Sequence, residues 1–134
     1  MTIFQLSFRP LISLLLFISL VSGCAIQLVS DRDEASLQQM EVLARDVNYF
    51  FTELLNHPAY QRSYQASAKG YLEIQVKLDA LKMRQQVREM NELTLKQVDI
   101  AIKLWDQDKM RHKTQGSFSD FLVKRYRSQY QRLF

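Results

Sequence analysis

Few residues in this chain carry chemistry, and their spacing narrows what they can do. Cys24 is the only cysteine among 134 residues. One thiol forms no internal disulfide and no cysteine-based metal site of the usual four ligands, so it is a buried hydrophobe, a reactive group or an attachment point. Neither of the two histidines, His57 and His112, is followed three or four residues later by a second His, Asp or Glu. His57 stands at a helix break, where a cap or a solvated ring is expected. His112 lies among Lys109, Arg111 and Lys113, which repel a bound cation. The carboxylate pairs Asp31/Asp33 and Asp106/Asp108 fall on short polar stretches and read as solvated surface. There is no Gly-x-Ser-x-Gly nucleophile elbow and no Gly-rich phosphate loop. No catalytic residue, metal site or cofactor is therefore expected, and the chain reads as non-enzymatic.

The setting of Cys24 explains the lone thiol. Arg9 is followed by an apolar run from Leu11 to Val21, then by the small residues Ser22 and Gly23. About a dozen apolar residues is short for a membrane span, which needs roughly 20, but suits the core of an export signal. Small residues before the cysteine let an extended backbone enter a peptidase.

Val21-Ser22-Gly23-Cys24 resembles the lipobox of bacterial lipoprotein precursors: an aliphatic residue, a small one, Gly or Ala, then Cys. The resemblance covers only the first 25 or so residues. It implies diacylglycerol transfer to the Cys24 sulfur, cleavage before Cys24 and acylation of the new amino terminus with a fatty acid such as palmitate. Each buried methylene contributes ~0.8 kcal/mol, so two or three long acyl chains hold durably where one does not. Within that family Asp after the cysteine favours inner-membrane retention, so Ala25 implies transfer to the outer membrane, with the domain facing the periplasm. Two alternatives remain at this point. One is an ordinary signal peptide with an incidental cysteine. The other is an uncleaved inner-membrane anchor, because Ala25, Ile26, Leu28 and Val29 extend the apolar run to roughly 20 residues. Arg9 before the run and Asp31-Arg32-Asp33-Glu34 after it place the body outside the cytoplasm in either case.

The chain accordingly divides into a signal peptide at 1–23, a lipidated tether at 24–30 and a helical domain at 31–134. Beyond Cys24 there are only two glycines (Gly70, Gly116) and one proline (Pro58), too few for an all-β domain of many turns. A first helix is expected from about Asp33 to Leu55, with Asp31 and Glu34 at capping-box spacing. Leu37, Met40, Leu43, Val47, Phe50 and Leu54 follow the three-four spacing of one face, widened by Phe51 and Leu55. Pro58 stops it. A second helix is expected from about Ala59 to Met90. Tyr60, Tyr64, Tyr71, Ile74, Leu78 and Leu81 would line its inner side, extended by Leu72, Val76, Met83 and Val87. Ser63, Ala66, Ser67 and Gly70 form a patch of small residues that invites close packing by a neighbour or lets the helix bend near Gly70. A third helix starts near Asn91, carries Leu95, Val98, Ala101, Ile102 and Trp105, and fades through the polar stretch after Trp105. A short fourth is capped by Ser117 with Asp120, and Phe118, Phe121, Leu122, Tyr126, Tyr130 and Leu133 form its inner face. The expected fold is all-α: an antiparallel bundle of three long helices plus a short C-terminal fourth.

The formal charge of +4 is too small to point to nucleic acid, and no nucleic-acid partner is expected. From Lys109 onward seven Lys or Arg face a single acid, Asp120. Tyr126, Arg127, Tyr130 and Arg132 combine residue types enriched at interfaces and form the candidate partner face. Function is expected to be that of an outer-membrane-anchored lipoprotein binding or supporting another envelope component. A pilotin-like escort of a secretion component is a specific version, resting on size and class alone. A small-ligand carrier or enzyme is the alternative if Trp105 and Tyr71 line an interior pocket.

Overall fold

The structure is a computed structural model that describes residues 33–134. The expected signal peptide, lipobox with Cys24 and tether, and Asp31 with them, lie outside the described residues. Four helices follow in order: α1 (Glu34–Asn56), α2 (Tyr64–Gln86), α3 (Glu92–Gln115) and α4 (Asp120–Gln131). Among the described residues no helix is long and apolar enough to cross a membrane.

Asp33 caps α1, its carboxylate accepting from the Ala35 amide at 3.2 Å. Satisfying a free first-turn N–H in this way fixes where the helix begins. α1 ends at Asn56, one residue before His57 and two before Pro58. The second helix is shorter than its apolar pattern suggests. Ala59–Gln61 form a single 3-10 turn, and α2 begins only after Ser63, whose hydroxyl accepts from the Ala66 amide at 3.1 Å. At the other end α2 stops at Gln86, because the Asn91 side chain turns back onto Gln85, donating to its carbonyl at 3.1 Å and to its Oε1 at 2.6 Å. Asn91 thus precedes α3 without capping it by its side chain.

α3 does not fade after Trp105. It continues to Gln115 and closes on Gly116, whose φ of 79° suits a residue without a Cβ. Ser119, not Ser117, caps α4, accepting from the Leu122 amide at 3.4 Å.

Contacts between helices set their directions. Asp33 meets Arg84 at one end of the α1–α2 pair, and Phe50 lies against Gly70 further along, so the two run antiparallel. Lys82–Asp99 and Tyr71–His112 give the same relation for α2 and α3. Asn48 with Gln131 and Thr52 with Arg127 give it for α1 and α4. α1 therefore packs against both α2 and α4, and α2 packs against α3. The result is the expected antiparallel bundle of three long helices and a short fourth.

Its core is aromatic. Phe50, Phe51, Tyr71, Trp105 and Tyr130 are buried with ring centroids 4.7–6.1 Å apart, mostly edge to face. Pairs in such geometry contribute about 0.5–1.5 kcal/mol each beyond area burial. Leu43, Val47, Leu54, Ile74, Leu78, Leu81, Val98 and Ala101 extend the core on the spacings read from sequence, and Phe118, Val123 and Tyr126 close it. Four other expected core positions on α2 are instead exposed: Leu72, Val76, Met83 and Val87. They lie on the side of the helix opposite Tyr71, Ile74, Leu78 and Leu81, so α2 is apolar on two faces and only one has a neighbour. Tyr60 and Phe121 are likewise exposed, and Val123 takes the buried place on α4.

Candidate functional site

Tyr126 and Tyr130, expected on a partner face, are instead buried. Each is only 2% exposed, because the four-residue step between them places both on the ridge of α4 that meets α1. Tyr130 stacks on Phe51 with centroids 5.6 Å apart, and the Tyr126 hydroxyl accepts from Arg111 Nη1 at 2.6 Å. Of the two arginines, Arg127 is half-buried beside Thr52, and exposed Arg132 bonds Ser128 one turn back. The aromatic and cationic members of that face thus point in different directions.

The burial of these tyrosines belongs to a polar network inside the bundle. His112 is fully buried, with Nε2 2.8 Å from the Arg62 carbonyl and Nδ1 3.1 Å from the Tyr71 hydroxyl. A carbonyl only accepts, so Nε2 carries the hydrogen. Burial holds the ring's pKa below its ordinary value, leaving Nδ1 free to accept from Tyr71. One turn before His112 on α3, Asp108 is 5% exposed and accepts from the Tyr130 hydroxyl at 3.0 Å. Burial pushes its carboxyl up to about 6, against the opposing pull of that hydrogen bond and of Arg111 and Arg125. Asp108 is therefore not solvated surface, and His112 is not on a repelling basic face. The Asp108–His112 step of four residues was the available signal, since it places both side chains on one side of a helix.

Two clamps fasten the ends. At the far end Arg62 is buried in the α1–α2 connection. It donates through Nε to the His57 carbonyl at 2.6 Å and through Nη1 to the Phe118 carbonyl at 3.2 Å, and it pairs with Asp120 at 2.6 Å. A backbone bridge between Ser63 and Ser117 joins the same two connections. At the near end Arg84 donates to both Asp33 oxygens at 2.8 Å, and Ser36 donates to Asp33 Oδ2 at 2.6 Å. The Arg84 guanidinium first, then the Ser36 hydroxyl, hold the Asp33 carboxyl well below the usual carboxylate range.

Between the clamps a groove of about 690 Å3 opens along the α1–α2 seam. Its floor is made by Ala66, Ser67 and Gly70 of α2 with Phe50, Leu54 and Ile74. The small-residue patch read from sequence thus has two uses. Gly70 receives the Phe50 ring, which a Cβ there would meet at 2.8 Å, while Ala66 and Ser67 stay open to solvent space. Tyr49 and Tyr60 stand on the rim, 64% and 82% exposed. The Asp46–Lys77 ion pair marks one end of the groove, and His57 with the 3-10 turn marks the other. Ser63 and Ser67 are engaged with nearby backbone, Ser63 as a cap and Ser67 donating to the Ser63 carbonyl at 3.1 Å. Trp105 and Tyr71 do not border this groove. They pack against Phe50, with centroids 5.3 and 4.7 Å from its ring respectively, and lie 5.0 Å from each other.

Among the described residues no group of three or more His, Cys, Asp or Glu is arranged to hold a metal ion. His57, at the C-terminal end of α1, is exposed. No protein-family model matches the chain, and neither a curated protein nor a solved structure matches it.

Proposed function

We propose that this protein is a small lipoprotein, held on the periplasmic side of the outer membrane by lipid on Cys24. Its helical domain binds or supports another component of the cell envelope and has no enzymatic activity. The observation that carries the anchor is the run Val21-Ser22-Gly23-Cys24 directly after an apolar segment, with Cys24 the only thiol in the chain. The observation that supports a binding role is the open groove between α1 and α2, bordered by two exposed tyrosines. Rigid rings at a concave surface provide contact area at small conformational-entropy cost.

Membrane fractionation with fatty-acid labelling tests the anchor. The expected result is labelled protein in the outer-membrane fraction and no labelling of Cys24→Ser. Mass measurement of the purified protein should show a chain beginning at Cys24 with added acyl groups. A chain retaining Met1 and carrying no hydrocarbon overturns the anchor. Unlabelled full-length protein sedimenting with the inner membrane supports the uncleaved form instead. Crosslinking in cells from Tyr49 and Tyr60 tests the binding role.

A further inference from the structure

The lining of the α1–α2 groove carries an uneven balance of charge. It contains three acids, Asp46, Glu53 and Glu73, and two bases, Lys77 and Arg62. Both bases are already engaged: Lys77 pairs with Asp46, and the buried guanidinium of Arg62 pairs with Asp120 across the connection. Among the described residues Glu53 accepts only from the Asn56 side-chain amide, at 3.2 Å. Glu73 meets Lys69 at 3.7 Å, but both are well exposed, and an i,i+4 surface pair of that kind contributes only about 0.3–0.5 kcal/mol. One carboxylate on each wall is thus available to a visiting cation, in a chain whose overall charge is +4.

The shape points to an elongated visitor. The α1 wall runs from Asp46 to His57, which at 1.5 Å per residue is about 16 Å, or three helical turns. Ala66 and Ser67, one turn before the Gly70 that Phe50 covers, present little bulk and stay open, so a second helix can approach α2 above them. Tyr49 and Tyr60 stand where they would flank it.

We infer that the groove docks a cationic amphipathic helix of about three turns, its apolar strip on Ala66, Phe50 and Ile74 and its Lys or Arg residues against Glu53 and Glu73. This rests on the binding role proposed above and is independent of lipid on Cys24.

The test uses the full chain purified in detergent and two fluorescent 18-residue helical peptides. Both carry Leu and Ala along one face, flanked in one by Lys and in the other by Glu. Anisotropy titration should show the Lys peptide binding at least about tenfold tighter than the Glu peptide, with affinity falling as salt is added. Ala66→Trp, at an exposed position, fills the groove and should weaken the Lys peptide by at least about tenfold while the thermal midpoint stays put. Glu53→Lys with Glu73→Lys should reverse the preference. Absence of Lys-peptide binding at about 1 mM, equal binding of both peptides, or indifference to Ala66→Trp overturns the inference. Acyl mass on Cys24, measured on the same sample, keeps the two proposals apart. Lipid without peptide binding removes the docking helix alone, and peptide binding without lipid removes the anchor alone.

Discussion

Tyr130 donates its hydroxyl to Asp108 at 3.0 Å inside the bundle, between the short C-terminal helix and α3. That single bond links α4 directly to a carboxyl that burial raises to about 6.

Stability should respond to Asp108 with a definite sign. Burial raises its carboxyl from 3.8 to about 6, so between those values the folded chain holds a proton that the unfolded chain has lost. Stability from this group is therefore full below about 4 and is lost as pH rises through about 6. Asp108→Asn keeps an acceptor for Tyr130 and removes the titration. Urea unfolding should show the variant close to wild type near pH 4 and more stable above pH 6, by roughly 2–3 kcal/mol. A variant less stable than wild type at pH 8 contradicts this.

His112 acts in the opposite direction. Its pKa is lowered by burial, so the unfolded chain takes up a proton first as pH falls, and the stability it contributes above about 6.5 is lost on acidification. His112→Phe fills the space but leaves the Arg62 carbonyl and the Tyr71 hydroxyl without their partner. A loss of about 2–4 kcal/mol at pH 7.5 is expected from two unsatisfied buried groups. The gap from wild type should narrow as pH drops below 6.5, which paired urea curves at pH 5 and 7.5 would read.

The two apolar faces of α2 should separate cleanly by mutation. Leu78→Ala and Leu81→Ala remove fully buried side chains and are expected to cost 2–5 kcal/mol. Val76→Ser and Met83→Ser remove exposed ones and should stay within about 0.5 kcal/mol. Chemical denaturation of the four variants checks both halves.

Met90, in the α2–α3 turn, has a φ of 52°, a left-handed conformation that disfavours side chains. Its side chain is 42% exposed, so little packing is lost with it. Met90→Gly should raise stability by up to about 1 kcal/mol, visible as a higher urea midpoint with an unchanged slope.

The helical class, the number of helices and the α1 core face were legible in the sequence because three-four spacing and scarce Gly and Pro leave few alternatives. Helix ends were less so. Arg62 interrupts an otherwise helical pattern by reaching Asp120, a contact across 58 positions of chain that local propensity does not encode. Leu72, Val76, Met83 and Val87 keep perfect helical period, and period alone does not say which of two apolar faces meets a neighbour. Tyr126 and Tyr130 carried two readings at once, inner ridge and interface composition, and packing against Phe51 decides for the first. The groove was half visible: Ser63, Ala66, Ser67 and Gly70 stood out as small, but what lies over them depends on where α1 falls. Asp108 and His112 share one helical face, but Lys109, Arg111 and Lys113 beside them along the chain give the segment the pattern of a solvated basic surface.

Asp33, at the start of the first rod, is gripped by the Arg84 fork at the end of the second. Traction applied at Asp33 is shared by two rods at once, before the terminal turn of either can uncoil. Arg84→Ala would leave the first rod to take the strain alone, and pulling on single molecules should then peel that turn away at lower force.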